Sequence, residues 1–496
     1  MNRPEVPEPG GEEREEIELE PPDGLREVAG RLESSGYEAW AVGGAVRDAL
    51  MGDERADWDL ATDARPDDVQ RIFPRTAPIG VEHGTVGVIR DDEMYEVTTF
   101  RRDVESDGRH AVVEFAARID ADLSRRDFTI NAMAWRPATK ELRDPFDGRL
   151  DLEQRILRAV GEPAERFRED HLRVLRGLRF AGRYDMRIDD ETREALGAAA
   201  RLTEGLSAER VREELMKVLG DRTPSTALRL YAEFGVLRVW YPELAETYGG
   251  HPRREQYFRA VDEISRERKI VRLARWMVPL GERWDTRSDD AKSLLDRLKF
   301  SNDDSQRVLH LLENYRPLVG PMDSSAQIRE WLARVGTDSM RDVFRLHLAG
   351  ARSVGAEEKK RYLKATWRRV HEEAQEDPPL TASDLAVSGE DILELGVEEG
   401  PLVGVLLKEL LSRVVEDPRL NEREELMSLA RRLVEEEQLD EFESWGTEGD
   451  AGDGEGTAPP PGPGLGGPPR GGEPPEPAPG FGGSDDGTDG GSASDA

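Results

Sequence analysis

Residues Tyr37–Thr62 read YEAWAVGGAVRDALMGDERADWDLAT, and the fold is decided here. The run Tyr37–Val42 predicts a strand, Gly43-Gly44 a tight turn, and the residues to Leu50 a short helix; a second strand is expected at Asp57–Ala61. Strand side chains alternate between faces, so Asp57 and Asp59 project to one side while Trp58 turns towards a core. Two carboxylates at that spacing suit Mg²⁺, which prefers hard oxygen ligands and leaves positions open for phosphate oxygens. A pair of such ions, about 4 Å apart, can activate an attacking hydroxyl and stabilise a leaving pyrophosphate. Upstream, the Gly43-Gly44 turn lets backbone approach phosphate closely, and Arg47, one helical turn on, offers a charge-assisted contact to a triphosphate. Taken singly, Gly-Gly is a turn and Asp-x-Asp a solvated strand end; their order on strand, turn, helix and strand favours a metal-dependent phosphate site. Glu96, on a strand expected at Met94–Phe100, is a candidate third carboxylate, and the sequence leaves its role open.

Around this stretch, residues 24–160 alternate short helices and strands. A helix is expected at Gly24–Ser35, another from Pro66 to Phe73, and a β-hairpin from Gly84–Arg90 and Met94–Phe100 turning at Asp91-Asp92. After about Glu162 helical periodicity takes over, at 166–184, 189–200, 207–219, 223–235, 255–280, 288–316 and on to 437. The fold class is therefore α+β: a small α/β head with one mixed sheet, then an all-helical remainder. Residues 1–22 are acidic and Pro-rich and are expected to be disordered, as are residues 443–496, rich in Gly, Pro and Asp.

Apolar residues make up 37% of the 496 and charged residues 35%. No run approaches the roughly 18 apolar residues of a bilayer span. There is no cysteine, which excludes disulfides and thiolate metal sites and fits a cytoplasmic protein. The formal charge of −34 argues against a globally basic nucleic-acid-binding face. Residues 1–22 carry −6 of it and residues 446–496 another −9, leaving −19 on the rest, so any RNA contact must use local arginine clusters.

Two further clusters carry chemistry. Residues 122–134 read DLSRRDFTINAMA, in which Arg126 and Asp127 pair a phosphate donor with a carboxylate able to accept from a ribose 2′-OH. Seen alone, the pair is a surface ion pair of little worth. Residues 166–180 read RFREDHLRVLRGLRF. On a continuous helix Asp170 and Arg173 are neighbours, with Arg176 and Arg179 continuing the stripe. Cytosine and adenine share an exocyclic amine beside an unprotonated ring nitrogen, so Asp170 can accept from the amine while Arg173 donates to the nitrogen. Uracil and guanine leave both contacts unpaired, at about 1–3 kcal/mol for each buried group. Seen alone, the segment is an amphipathic helix with an i,i+3 salt bridge.

These stretches, in order AVGGAVRDALMG with DWDLAT, DLSRRDFTINAMAW and RFREDHLRVLRGLRFAGR, resemble the class II tRNA nucleotidyltransferase and poly(A) polymerase family. LSAERVREELMKVL at Leu206–Leu219 resembles the helix bracing the family's nucleotide-binding neck, and Leu385–Leu433 resembles the tail helices of bacterial CCA-adding enzymes. The resemblance implies a polymerase-β-like head at 23–160, a neck at 161–225, a helical body at 226–345 and a helical tail at 346–442. It implies Asp57 and Asp59 as catalytic Mg²⁺ ligands, and Gly44, Arg47, Arg126, Asp127, Asp170, Arg173, Arg176 and Arg179 as nucleotide-binding residues. The implied reaction is template-independent addition of CCA to tRNA 3′ ends from CTP and ATP, with pyrophosphate released. Arg101–Val112 matches the family's flexible loop, whose full length argues against a CC-only enzyme. Addition of A alone and poly(A) synthesis remain alternatives, and a catalytically silent RNA-binding homologue is a further one. None of the seven histidines precedes an Asp, so the His-Asp hydrolase activity of some relatives is not expected.

Overall fold

The computed structural model describes residues 15–53, 57–80, 84–106, 111–281, 288–315 and 322–435. The expected disordered tail at 443–496 lies outside them, as do residues 1–14.

The head is built on strands β1 (Glu15–Glu16), β2 (Ala39–Val42), β3 (Leu60–Thr62), β4 (Thr76–Gly80), β5 (Thr85–Arg90), β6 (Glu93–Thr99), β9 (Ala134–Arg136) and β10 (Glu141–Arg143), with β7 (Arg101–Ser106) and β8 (Ala111–Phe115) forming a separate antiparallel pair. The larger sheet runs β1-β10-β9-β2-β3-β6-β5-β4 and is mixed: β3 and β6 are parallel, and the other neighbours antiparallel. Asp91 and Asp92 both take positive φ, the conformation a two-residue hairpin turn demands between β5 and β6.

Residue alternation divides β2 between two cores. Ala39 and Ala41 face a cluster that includes Leu25, Val28 and Leu32 of helix α1 (Asp23–Ser34); Trp40 and Val42 face a second that includes Leu123 of helix α4 (Ile119–Ser124). Helices α2 (Gly44–Leu50) and α3 (Pro66–Ile72) complete the first half of the head, and α5 (Gly148–Glu153) closes it. Residues 15–22, expected to be disordered, are partly structured. Here β1 adds to the sheet edge, Leu19 is buried, and the Trp135 indole donates to the Ile17 carbonyl at 2.8 Å. The apolar positions Ile17 and Leu19 are too few to show as a pattern within an acidic run.

Beyond the head the chain is helical apart from the two-residue strands β11 (Ile156–Leu157) and β12 (Arg187–Ile188). The first helices are α6 (Pro163–Glu169), α7 (Leu172–Arg183), α8 (Asp190–Ala199), α9 (Ala208–Gly220) and α10 (Pro224–Glu233). Asp189 and Ser207 cap α8 and α9 by accepting the amides of Thr192 and Arg210. Gly182 lets α10 approach α7: a Cβ there would stand 2.6 Å from the Ala227 backbone nitrogen.

Three long helices expected from periodicity are each two. The segment 166–184 breaks at Asp170, whose φ of −148° and ψ of 107° are extended, and whose carboxylate takes the Leu172 amide at the start of α7. The segment 255–280 divides into Arg254–Asp262 and Lys269–Gly281, with Arg272 reaching back to the Ile264 carbonyl at 2.7 Å. The segment 288–316 divides into Ser288–Arg297 and Asn302–Glu313, the second capped by Ser301.

Candidate active site

Asp57 and Asp59 lie immediately before β3 rather than within it, so the expected strand begins three residues late. The alternation nevertheless extends to them: Asp57 is exposed, Trp58 buried and Asp59 half-buried. The Val42 amide donates to the Asp59 carbonyl at 3.2 Å, tying the aspartate to the residue before Gly43-Gly44. On the other side, the parallel register of β3 and β6 pairs Leu60 with Val97, which sets Glu96 alongside Asp59. Burial, then the charges of Glu96 and Asp57, push the Asp59 carboxyl up to about 7, against the opposing pull of Arg126. Among the described residues no three acidic or imidazole side chains converge into a complete metal cage. The donors on offer are carboxylates that repel one another, which suits a hard divalent cation completed by phosphate oxygens.

Gly43 has φ +67°, and a Cβ there would collide with the Arg126 guanidinium. The Gly43-Gly44 turn thus brings Arg126 against the backbone that carries α2. Arg126 comes from the chain after α4, where Asp122, buried, accepts from Arg125 Nε at 3.0 Å and Arg126 Nη2 at 2.9 Å. Burial alone would raise the Asp122 pKa, but Arg126 and Arg125 outweigh it and hold the carboxyl below the usual range. Arg126 Nε is buried with no hydrogen-bond partner among the described residues.

Three donors hold the buried Asp127 carboxylate. Its Oδ1 accepts from the Phe128 amide and from Asn131 Nδ2, both at 2.9 Å, and its Oδ2 from Arg176 Nε at 2.7 Å. Burial opposes ionisation, yet Arg176 and Asn131 prevail and the carboxyl falls to about 2. Arg47, read as a triphosphate contact, is buried. It donates to Asp48 at 2.8 Å and to Asn131, and its guanidinium lies 5.2 Å from the Phe180 ring centre and 4.8 Å from that of Tyr184. Asn131 therefore links Arg47 to Asp127, a bridge the sequence reading missed.

The expected Asp170–Arg173 pairing is corrected by the helix break. Asp170, in the α6–α7 junction, is held by Arg210 of α9, whose Nη2 stands 3.1 Å from each carboxylate oxygen. Arg173 turns to Glu169 at 2.7 Å and to the carbonyls of Arg125 and Arg166. Farther along α7, Arg179 pairs with Glu214 of α9 at 2.7 Å, both side chains buried. Sequence reasoning missed Arg210 and Glu214 because their partners lie 40 and 35 residues away. Asp122 carried a usable signal, its i,i+3 and i,i+4 spacing to Arg125 and Arg126.

Of the expected site residues, Gly44, Arg47, Arg126, Asp127, Asp170, Arg173, Arg176 and Arg179 line one cleft of about 560 Å³, together with Phe180; Asp57 and Asp59 are not among its lining residues. Nine arginines line it against two aspartates. In a chain of charge −34 this is the local basic cluster that polyphosphate binding requires. Its wall opposite Arg126 is α7, so head residues and helical residues face one space.

The chain is similar to known proteins over most of its length. Residues 39–158 match the family model "Poly A polymerase head domain", residues 185–247 "Probable RNA and SrmB- binding site of polymerase A", and residues 280–430 the model of tRNA nucleotidyltransferase domain 2. A CCA-adding enzyme of Enterococcus faecalis is 34% identical over 413 residues, covering 82% of this chain and 94% of its own. One from Streptococcus suis is 34% identical over 415 residues, covering 82% and 96%. The crystal structure of a Bacillus stearothermophilus CCA-adding enzyme in complex with CTP superposes with a TM-score of 0.67 at 30% identity, over 85% of this chain and 98% of that one.

Proposed function

The chain belongs to the CCA-adding enzyme family of tRNA nucleotidyltransferases, and on that premise we propose how its cleft works. It adds C, C and A to the 3′ end of tRNA from CTP and ATP without a nucleic-acid template, and releases pyrophosphate. The observation that carries this reading is the single cleft in which Arg126 and Asp127 of the head face Arg173, Arg176 and Arg179 of α7.

Asp57 and Asp59, with Glu96 alongside, would hold Mg²⁺, and their mutual repulsion, which helps raise the Asp59 pKa, is what a bound cation would relieve. When bound, Mg²⁺ supplies Lewis-acid stabilisation of the phosphoryl oxygens and lowers the pKa of the attacking hydroxyl. The protein's own groups do the rest. The RNA 3′-hydroxyl loses its proton to solvent as its oxygen attacks the α-phosphorus, the α–β phosphoanhydride bond breaks, and pyrophosphate carries away the electron pair. Arg126, whose guanidinium lies against Gly43, offers its charge to the nucleotide phosphates beside the backbone of Gly44. Asp127 lines the cleft and its Oδ2, which has one acceptor position beyond the Arg176 bond, takes the ribose 2′-OH, while Arg176 holds the carboxyl ionised. Arg47 is a positioning residue, locking α2 to Asn131 and α7.

Asp170 and Arg173 read the base, which competes with Arg210 and Glu169 for them. The incoming cytosine or adenine amine shares Asp170 with Arg210, while the ring nitrogen draws on Arg173. Uracil and guanine offer no such exchange. The protein works in the cytoplasm, where its RNA and nucleotides are found.

Incubating the pure protein with tRNA lacking CCA, and with CTP and ATP separately and together, tests this. Sequential C, C and A incorporation is expected. Absence of CTP incorporation overturns it, and long A tracts on unrelated RNA would instead show poly(A) synthesis.

A further inference from the structure

A second surface departs from the acid excess of the chain. The helices Thr337–Ser353 and Glu357–Gln375 pack together, and between them lies an open groove of about 560 Å³. Its floor is aromatic. Phe344 is buried, and half-buried Trp367 meets it edge-on with ring centres 5.1 Å apart. The His371 ring lies parallel to the indole, 5.4 Å away at 9°, and its Nδ1 is buried with no hydrogen-bond partner among the described residues. The rim is basic. Arg341, Lys364 and Arg368 are exposed and have no ion-pair partner among the described residues. No acidic side chain lines the groove, although the chain has 104 acidic residues against 70 basic ones.

A flat apolar slot between unpaired cations has the chemistry of a nucleotide binder. Every base has a π-face for an aromatic platform, and phosphates on either side take up lysines and arginines. We propose that this groove is a second nucleotide-binding site, which takes an unpaired nucleotide of the RNA substrate outside the cleft that holds the growing 3′ end. The base extends the Trp367–His371 stack, and the flanking phosphates meet Arg341, Lys364 and Arg368. Three unpaired cations spread over two helices match a backbone that enters and leaves, rather than one terminal phosphate. The groove shares no residue with the cleft, so it acts on RNA affinity and not on the choice of nucleoside triphosphate. The proposal rests on the reading of the chain as an RNA-extending enzyme, but binding and incorporation are measured separately.

The test is filter binding of a full-length tRNA transcript lacking CCA to the full chain, to Arg341→Glu/Arg368→Glu and to Trp367→Leu. Each variant is expected to raise Kd about tenfold, and the double variant to lower the slope of log K against log salt by about one to two. The KM for CTP at saturating tRNA should not move in either variant, nor the thermal midpoint in the double variant; Trp367→Leu, which loses the contact with Phe344, is compared at a temperature where it is folded. Unchanged Kd and salt slope in the double variant, whose exposed residues do not bear on folding, would overturn the proposal. So would polyglutamate competing with tRNA as well as oligo(A) of equal charge, since charge alone would then suffice. AMP binding that is lost in Trp367→Leu while tRNA affinity stays constant would assign the groove to free nucleotides and overturn its RNA role. If tRNA binds as proposed but CTP is not incorporated, it is the assigned reaction that fails and not the groove.

Discussion

Arg210 places one guanidinium nitrogen 3.1 Å from both carboxylate oxygens of Asp170, across the junction where α6 ends and α7 begins. Asp170 there has no helix to fix its direction, so the Leu172 amide on one oxygen and Arg210 on both set it. A misplacement of about 1 Å in a positioned group can cost on the order of 100-fold in rate. Arg210→Ala should therefore raise KM for CTP by about tenfold and narrow the discrimination between CTP and UTP by a similar factor. Arg210→Lys, which keeps the charge but not the planar guanidinium, should recover only part of it. The check is the ratio of kcat/KM for CTP and UTP; an unchanged ratio in Arg210→Ala would show that Asp170 needs no such support.

The Arg179–Glu214 pair ties α7 to α9 with both side chains buried, Glu214 at 1% exposure. Burial disfavours the Glu214 carboxylate, but Arg179 and Lys217 more than offset this and its pKa is lowered. Removing one partner strands a buried charge, at a cost of about 3–5 kcal/mol. Glu214→Ala should lose that much stability in urea unfolding, whereas Arg179→Met/Glu214→Leu, which removes both charges, should regain most of it. Equal losses in the single and double variants would mean that packing, not the stranded arginine, sets the cost.

Gly43 combines φ +67° with a steric conflict between any Cβ and Arg126. The backbone penalty for alanine there is of order 1–3 kcal/mol, but the colliding atom is the end of a side chain that can swing away. Activity should therefore suffer more than stability. Gly43→Ala is expected to lower kcat/KM for CTP roughly 100-fold through a displaced Arg126. Thermal melting and single-turnover kinetics on one preparation would separate the effects; a melting loss with rates preserved would contradict the close approach of Arg126.

How much of this was legible depends on the range of each interaction. The strand, Gly-Gly turn and helix at 39–50 were readable because alternation, a turn dipeptide and a short amphipathic run are local. The same holds for the β5–β6 hairpin and for the Arg126-Asp127 neighbourhood. The breaks at Asp170 and in 255–280 were hidden because apolar spacing continues across them in phase. The Asp170 break is stabilised by Arg210, and the second by Arg272 reaching back over the gap. The break before Asn302 left a local signal, Ser301 followed three residues later by Asp304, which caps and accepts in turn. Arg101–Val112, expected as a flexible loop, falls largely in β7 and β8, with residues 107–110 outside the described chain. The sheet-edge position of Glu15-Glu16 depends on β10, far along the chain, and no local pattern announces it.

Asp127 gives the pH prediction. Burial would raise its pKa, but Arg176 and Asn131 bring the folded value to about 2. An unfolded aspartate titrates at about 3.9, so the unfolded chain binds more protons than the folded one between the two values. The resulting stabilisation is complete above about pH 4–5 and is lost as pH falls towards 2. It amounts to about 2–3 kcal/mol, because each tenfold difference in proton affinity between the two states is worth about 1.4 kcal/mol. The measurement is the unfolding free energy of the protein and of Asp127→Asn from pH 6 to pH 2. The difference between them should be flat above pH 5 and shrink by about 2 kcal/mol by pH 2, because asparagine keeps the amide contacts but not the ion pair with Arg176. A difference that stays constant across that range would show that Arg176 does not hold Asp127 ionised, and with it the basis for assigning this carboxylate to the ribose would fall.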